Sequence, residues 1–307
     1  MKLSRRNLLK TSAAAAAFAT VSLPAFGAIN ELVIAYNVNL PSWDPTVGLS
    51  AVNPTLQGYY QTIFDNFIPQ NPDLTFGSGI ITDYGWNDDN SGIWMDVRNG
   101  ITWHNGDPLT AEDVAWSLAR VANPETGSPI QFIWGKITNI KHDGNRVTAD
   151  MPEYEPTFFK WMSFLTGYVL PKKYYEEVGA EGFEAAPIGS GPYKVEKFER
   201  NAFVRLKANE AYWGGVPEFK SVTIKFVTDA ASRVAEVESG NSHVTLEVPY
   251  EEFDRLKGKV GIEGTASPIS DIGMIFLNDI EVMQDPNVRK AAAHAIDKKT
   301  IIDRLLS

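Results

Sequence analysis

Four histidines, at positions 104, 142, 243 and 294, are the residues with the most evident capacity for acid–base or metal chemistry. None stands three or four positions from another and no His-Glu-x-x-His run occurs, so no helix face offers two imidazoles to one ion. Each reads as a surface residue or a hydrogen-bonded turn residue. Gly189-Ser190-Gly191 would suggest a nucleophile elbow or a phosphate loop, but it lacks the Gly-x-Ser-x-Gly spacing, and Pro192-Tyr193 lead into a strand rather than a helix. A tight turn is expected there. Glu176-Glu177 and Glu251-Glu252 are adjacent carboxylates that a helix would point in different directions, which does not suit paired acid–base work. The chain has no cysteine, which removes thiolate zinc sites, cysteine nucleophiles, disulfides and a lipid anchor through sulfur. With no catalytic set and no metal set, the chain is expected not to be an enzyme and to need no cofactor.

Aromatic residues remain: 8 Trp, 11 Tyr and 16 Phe, whose flat apolar faces bind peptides, sugars and chelates at small entropic cost. Trp94, Trp116 and Trp161 lie inside patterned elements and read as packing residues, whereas Trp43, Tyr59 and Tyr60 flank loops after the first strand, where either a core or a ligand-facing position is open to them.

The elements that must position these groups are legible in places. Leu32 to Tyr36 is a short apolar run that reads as a buried strand, feeding the loop Leu40 to Pro45. In Gly92 to Trp103, Ile93, Met95 and Val97 alternate with polar or outward residues, and Asn99-Gly100 predicts a hairpin turn into Ile101 and Trp103. Thr110 caps a helix with Asp113 at its third position and Val114, Leu118 and Val121 on one face. Asp143-Gly144 predicts a hairpin joining Ile137–Lys141 to Arg146–Met151, after which Pro156 opens a helix through Phe159, Met162 and Leu165. Tyr193–Glu199 and Ala202–Ala208 read as an antiparallel pair. Val222–Phe226 reads as a strand, followed by a helix capped at Asp229 that carries Val234 and Val237 and ends at Gly240. Asp285-Pro286 starts a last helix, recapped at Asp297. The apolar positions Ile301, Ile302 and Leu305 then have nothing after them to cover them, which suggests a fragment of a longer protein.

A chain of 307 residues with 44% hydrophobic and 21% charged composition usually exceeds one compact core, so two lobes are expected. Residues 1–27 carry Lys2, Arg5, Arg6 and Lys10, no acid, an apolar run from Ala13 to Leu23, and a Pro24-Ala25-Phe26-Gly27 break, the order of a bacterial signal peptide cleaved near Gly27. Ser4-Arg5-Arg6-Asn7-Leu8-Leu9-Lys10 resembles the twin-arginine export motif, with Leu8 where that motif most often has Phe. The apolar run falls short of the ~20 residues that span a bilayer. Without the four basic residues of the leader, 24 basic residues face 38 acidic ones, a net charge of −14. Nucleic acid is therefore not expected as a partner, since no basic patch is larger than a pair such as Lys298-Lys299. Periplasmic localisation follows.

Four ordered blocks resemble the family 5 extracellular solute-binding proteins, the peptide/nickel/opine-type receptors of ABC importers. The most specific runs from Trp94 to Val114, similar to the family's strand, Arg-x-Gly turn, Phe-His-Asp-Gly-x-Pro and Thr-Ala-x-Asp-Val helix start, with Trp103 and Asn105 departing from it. Pro187 to Tyr193 resembles Pro-x-Gly-Thr-Gly-Pro-Tyr, Asn209 to Gly215 resembles Asn-x-x-Tyr-Trp-Gly-Gly, and Asp285 to Asp297 resembles Asp-x-x-Val-Arg-x-Ala-x-x-x-Ala-Ile-Asp. Gly240-Asn241-Ser242-His243 departs from the usual Gly-Glu-x-Asp, which predicts loss of a local turn contact.

The resemblance implies an α/β, two-lobed periplasmic binding protein type II with an inserted subdomain in lobe I and a second lobe largely missing. Lobe I would be 28–65 and 186–270, the insertion 66–185, and the start of lobe II 271–307, entered near Asp271 to Leu277. It also implies capture of a small solute, a peptide or peptide-like compound, with delivery to an inner-membrane ABC permease. Trp43 and Asp44, on the loop over which family members pass ligand, are the leading contact candidates, followed by Tyr59 and Tyr60. A nickel-chelate or oligosaccharide receptor is the alternative within this class. A monomer exported by the twin-arginine machinery is expected. Two rival classes are a secreted hydrolase, for which no nucleophile, base or metal set is present, and a chaperone or sensor subunit that binds protein through an exposed apolar face.

Overall fold

The computed structural model of the chain describes residues 30–266 and 281–305; the leader 1–27, the expected lobe entry at Asp271 to Leu277 and the side chain of Leu305 lie outside the described residues. Two sheets organise it. One is five-stranded and mixed, in the order β6-β7-β8-β1-β9, from β1 (Glu31–Tyr36), β6 (Tyr193–Glu199), β7 (Phe203–Ala208), β8 (Ser221–Phe226) and β9 (Val244–Thr245). The other is four-stranded and antiparallel, β2-β3-β5-β4, from β2 (Ile81–Trp86), β3 (Gly92–Val97), β4 (Thr138–Asp143) and β5 (Arg146–Asp150). The α/β class is as expected.

In the first sheet, β1 runs parallel to β8 with Leu32 opposite Val222 and Ile34 opposite Ile224, and parallel to β9 on its other side. The segment from β8 through the helix Ala230–Glu238 to β9 is thus a parallel crossover straddling β1. Asp229 caps that helix by accepting from the Ser232 amide at 2.8 Å, and Gly240 closes it with a positive φ of 75° that a side chain would resist. The turn after it keeps its hold by other contacts, since Ser242 donates to Glu236 at 2.9 Å and Lys225 donates to the Asn241 carbonyl at 2.8 Å. Leu56, Ile63, Phe64, Val204, Leu206, Val222 and Ile224 form the core of this half.

The second sheet buries Ile93, Met95, Val97, Val147 and Ala149 against Val114, Leu118 and Val121 of the helix Ala111–Ala122. Period-2 alternation on β3 and period-3.6 spacing on the helix place these faces opposite each other. The helix starts in a complete capping box, the Asp113 carboxylate accepting from the Thr110 amide at 2.9 Å. On the outer face Arg146 holds Asp96 through two bonds of 2.6 and 2.7 Å and lies 4.6 Å over the Trp94 ring.

Two local expectations change, and one strand is new. Asn99-Gly100 does turn, with Gly100 at φ 83°, but Ile101 to Trp103 do not return as a strand, because both edges of β3 are already taken by β2 and β5. The chain instead closes a loop in which Trp103 donates to the Asp107 carbonyl at 2.8 Å and Leu109 to that of Ile101 at 3.0 Å. The helix after Pro156 is a single turn, Phe158–Trp161, since the chain then doubles back so tightly that a Cβ on Gly167 would lie 2.6 Å from the Trp161 carbonyl. Finally β2 was not anticipated, as Ile-Thr-Asp-Tyr-Gly-Trp lacks a clean alternation.

Candidate functional site

Parallel strands gather loops at their C-terminal ends, and in open α/β sheets that edge is where ligands sit. Here the ends of β8, β1 and β9 bring together Val227–Asp229, Asn37–Asn39 and Leu246–Pro249. Arg233, on the helix that follows β8, is only 5% exposed and ties two of these loops together. Its guanidinium donates to the carbonyls of Val227 (3.0 Å), Thr228 (2.8 Å), Leu246 (3.3 Å) and Glu247 (3.1 Å). Asn37 donates from Nδ2 to the Glu247 carboxylate, joining the β1 loop to the β9 loop. Glu247 has a positive φ of 50°, and its charge, together with burial as the larger cause, raises the Tyr36 phenol above its ordinary range.

The four residues singled out in the sequence lie beneath this edge, not on it. Trp43 is fully buried, edge-on to Phe198 at 5.6 Å, and its amide donates to Glu184 Oε1 at 2.6 Å. Asp44 is 4% exposed and pairs with Arg120 at 2.7 Å, accepting also from the Tyr175 hydroxyl at 2.9 Å and the Thr46 amide at 2.9 Å. Tyr59 donates to the Val38 carbonyl at 2.5 Å and Tyr60 to the Ser42 carbonyl at 2.8 Å, and burial pushes both phenols well above their ordinary range. Their hydroxyls are thereby used in fixing the loop after β1. Sequence reasoning missed Arg120 and Glu184, which do that fixing from more distant elements, and Arg233, which ties the loops after β8 and β9; the cap at Asp229 and the end of β8 were the available signals for the edge.

Three of the four resembling blocks meet at a second place, the joint between the two cores. His104 accepts from the Gly189 amide at Nδ1 (3.0 Å), which leaves the proton on Nε2 to donate to the Gly191 carbonyl (3.1 Å). Asn209 donates to the same carbonyl at 3.0 Å. Asp65 accepts from Ser190 (2.7 Å), Tyr212 (2.9 Å) and the Trp213 indole (3.0 Å). Burial depresses the His104 imidazole to about 4, so it is neutral near pH 7. A carboxylate with three donors and a neutral imidazole with both nitrogens engaged make a structural lock rather than an acid–base pair. Ser190 is a buried turn residue, as its spacing indicated. His142, His243 and His294 are exposed, and among the described residues no group of three His, Asp or Glu side chains could hold a metal ion.

Known proteins share both the sequence pattern and the fold. The glutathione-binding protein GsiB of Salmonella typhimurium (strain LT2) is 25% identical over 288 residues, covering 92% of this chain and 55% of that protein. NikZ from Campylobacter jejuni, solved in complex with Ni(L-His), superposes with a TM-score of 0.77 at 22% identity, over 90% of this chain and 55% of that one. AppA from Bacillus subtilis, an oligopeptide-binding protein solved with a nonapeptide, gives 0.76 at 18%, over 89% and 55%. The structural likeness is one of fold, and the chain spans about half the length of the curated relatives it matches. These relatives are solute-binding proteins, not enzymes. The model for bacterial extracellular solute-binding proteins, family 5 Middle, matches residues 75–307, and the chain belongs to that family.

Proposed function

We propose that the chain is the solute-capturing component of an ABC importer, taking up a peptide or peptide-like compound and delivering it to a membrane permease. Family membership carries this reading, and the open edge of β8, β1 and β9 supplies a surface for it. Relatives bind solutes of this size: glutathione for GsiB, a nonapeptide for AppA. Ni(L-His) in NikZ keeps a nickel chelate as the alternative cargo.

In this reading the five-stranded half is lobe I, 28–65 with 186–270, the four-stranded half is its insertion, 66–185, and 271–307 begins lobe II. Trp43, Asp44, Tyr59 and Tyr60 serve binding by holding the loop after β1 in place, so that backbone and neighbouring side chains of that loop meet the solute. The protein leaves the cytoplasm by the twin-arginine route, loses 1–27, and works as a periplasmic monomer. Its acidic surface is consistent with a solute partner and not with nucleic acid.

Calorimetric titration of the purified chain with glutathione, di- and oligopeptides, Ni(L-His) and oligosaccharides tests the reading, with mass spectrometry of the recovered solute. Saturable binding of a peptide-like compound recovered unchanged is expected. Hydrolysis of any of them, or heat from none, overturns it.

A further inference from the structure

Val33 and His243 hold each other at the edge of the five-stranded sheet. The His243 amide donates to the Val33 carbonyl at 2.8 Å, and the Val33 amide donates at 2.8 Å to the ring nitrogen Nδ1 of His243, not to a backbone carbonyl. In a parallel ladder the acceptor due to Val33 would be the carbonyl of Asn241, two residues before the one that donates to it. That carbonyl accepts from Lys225 at 2.8 Å instead, so the His243 side chain supplies the acceptor that the short strand lacks. β9 has two residues and pairs among the described residues with β1 alone, Ile34 opposite Val244 and Ala35 opposite Thr245. The Thr245 hydroxyl adds one bond to the Ala35 carbonyl at 3.1 Å. With so few ties, the His243 pair is a large share of what keeps β9 on β1.

A ring nitrogen that accepts has a free lone pair, so this imidazole is neutral with its proton on Nε2. Protonation puts hydrogen on both nitrogens, and Nδ1–H then faces the Val33 N–H, two donors with no acceptor between them. An imidazole ordinarily gains that proton as pH falls through about 6.5. His243 is exposed, so the proton reaches it without unfolding. The charged groups on the elements around it are engaged with one another: Glu31 of β1 accepts from Thr223 at 2.9 Å, Lys225 of β8 pairs with Glu236 at 2.7 Å, and Glu238 pairs with Arg255 at 2.8 Å. Glu247, Tyr250, Lys257 and Glu263 line the same cavity as His243, and among the described residues none of these groups bonds to the imidazole.

We propose that His243 is a proton-operated latch on β9, closed while the imidazole is neutral and opened by acid, which frees the start of the strand from β1. The strand leads into Leu246–Pro249, one of the three loops at the sheet edge, so the latch makes that edge looser at low pH. The inference goes beyond the importer reading and does not depend on it.

The test is amide-resolved hydrogen exchange by NMR on the whole chain from pH 7.5 to 5.5, each rate divided by the intrinsic rate at that pH, with the imidazole nitrogen shifts followed in the same samples. This range lies above the value of about 4 to which His104 is depressed, so the joint between the cores stays neutral throughout. His243 should carry its proton on Nε2 at pH 7.5, and protection of the Val33 amide should fall about tenfold as the imidazole gains its second proton, with the His104 and Gly189 amides unchanged. His243→Asp, whose carboxylate remains an acceptor over this range, should remove the dependence. In the unaltered chain, constant Val33 protection while the imidazole gains its proton, an imidazole still neutral at pH 5.5, or a neutral imidazole with its proton on Nδ1 at pH 7.5 overturns the proposal. An acid-induced fall that persists in His243→Asp also overturns it.

Discussion

His104 and Gly189 hold each other by a reciprocal pair of bonds: the His104 amide donates to the Gly189 carbonyl at 2.8 Å, and the Gly189 amide donates to His104 Nδ1 at 3.0 Å. The two residues belong to different resembling blocks, His104 to the loop after β3 and Gly189 to the loop before β6, so this pair joins one half to the other.

That joint should be acid-sensitive. The His104 imidazole is depressed from 6.5 to about 4 in the fold, so between these values the unfolded chain binds the extra proton and the folded chain does not. Stability is fully present above pH 6.5 and is lost as pH falls toward 4, by roughly 3 kcal/mol from this residue. Urea unfolding at pH 7 and pH 4.5 measures it, and His104→Gln should flatten the dependence. An unchanged slope in that variant would place the acid lability elsewhere.

Gly189 is needed for the approach of the joint to the chain beside it. A Cβ there would lie 1.8 Å from the Ile63 carbonyl oxygen, whereas one on Gly77 would find its nearest neighbour at 3.4 Å. Gly189→Ala should lose about 3 kcal/mol or more and Gly77→Ala about 1 or less. Similar midpoints for the two in chemical denaturation would contradict this packing.

Asp44 and Arg120 form a buried pair with side chains 6% and 15% exposed, and the Tyr175 hydroxyl, raised to about 12 mainly by burial, donates to the same carboxylate. Removing one charge strands the other. Asp44→Asn or Arg120→Met should each cost about 3–5 kcal/mol, and the double variant clearly less than their sum. Simple additivity in the double-mutant cycle would show that the charges do not interact.

Trp43 separates support from contact. Trp43→Ala should cost about 3–5 kcal/mol by emptying a buried site, while Trp43→Phe should keep solute affinity within a small factor. Loss of affinity in Trp43→Phe at unchanged stability would mean that the indole touches the solute directly.

How far the sequence reached follows from the range of the interactions. β8, the hairpin at Asp143-Gly144 and the capped helices at Thr110, Asp229 and Asp285 are written in spacings of a few residues, and they formed where expected. The edge positions of β2 and the stop after Trp161 depend on neighbours already claimed or on backbone folded back, which no local spacing records. The site was harder still. Trp43 and Asp44 were legible as an aromatic and an acid on a loop, but their burial depends on Glu184 and Arg120, 141 and 76 positions away. Arg233 looks like an ordinary helix cation until two loops close over it.

The central claim is that solute binds at the ends of β8, β1 and β9, and hydrogen–deuterium exchange of the chain with and without a saturating peptide-like solute tests it most directly. Protection should rise at 37–39, 227–229 and 246–249 and stay unchanged at the His104–Gly189 joint. Protection confined to other surfaces, or none at these three loops with bound solute, would contradict it.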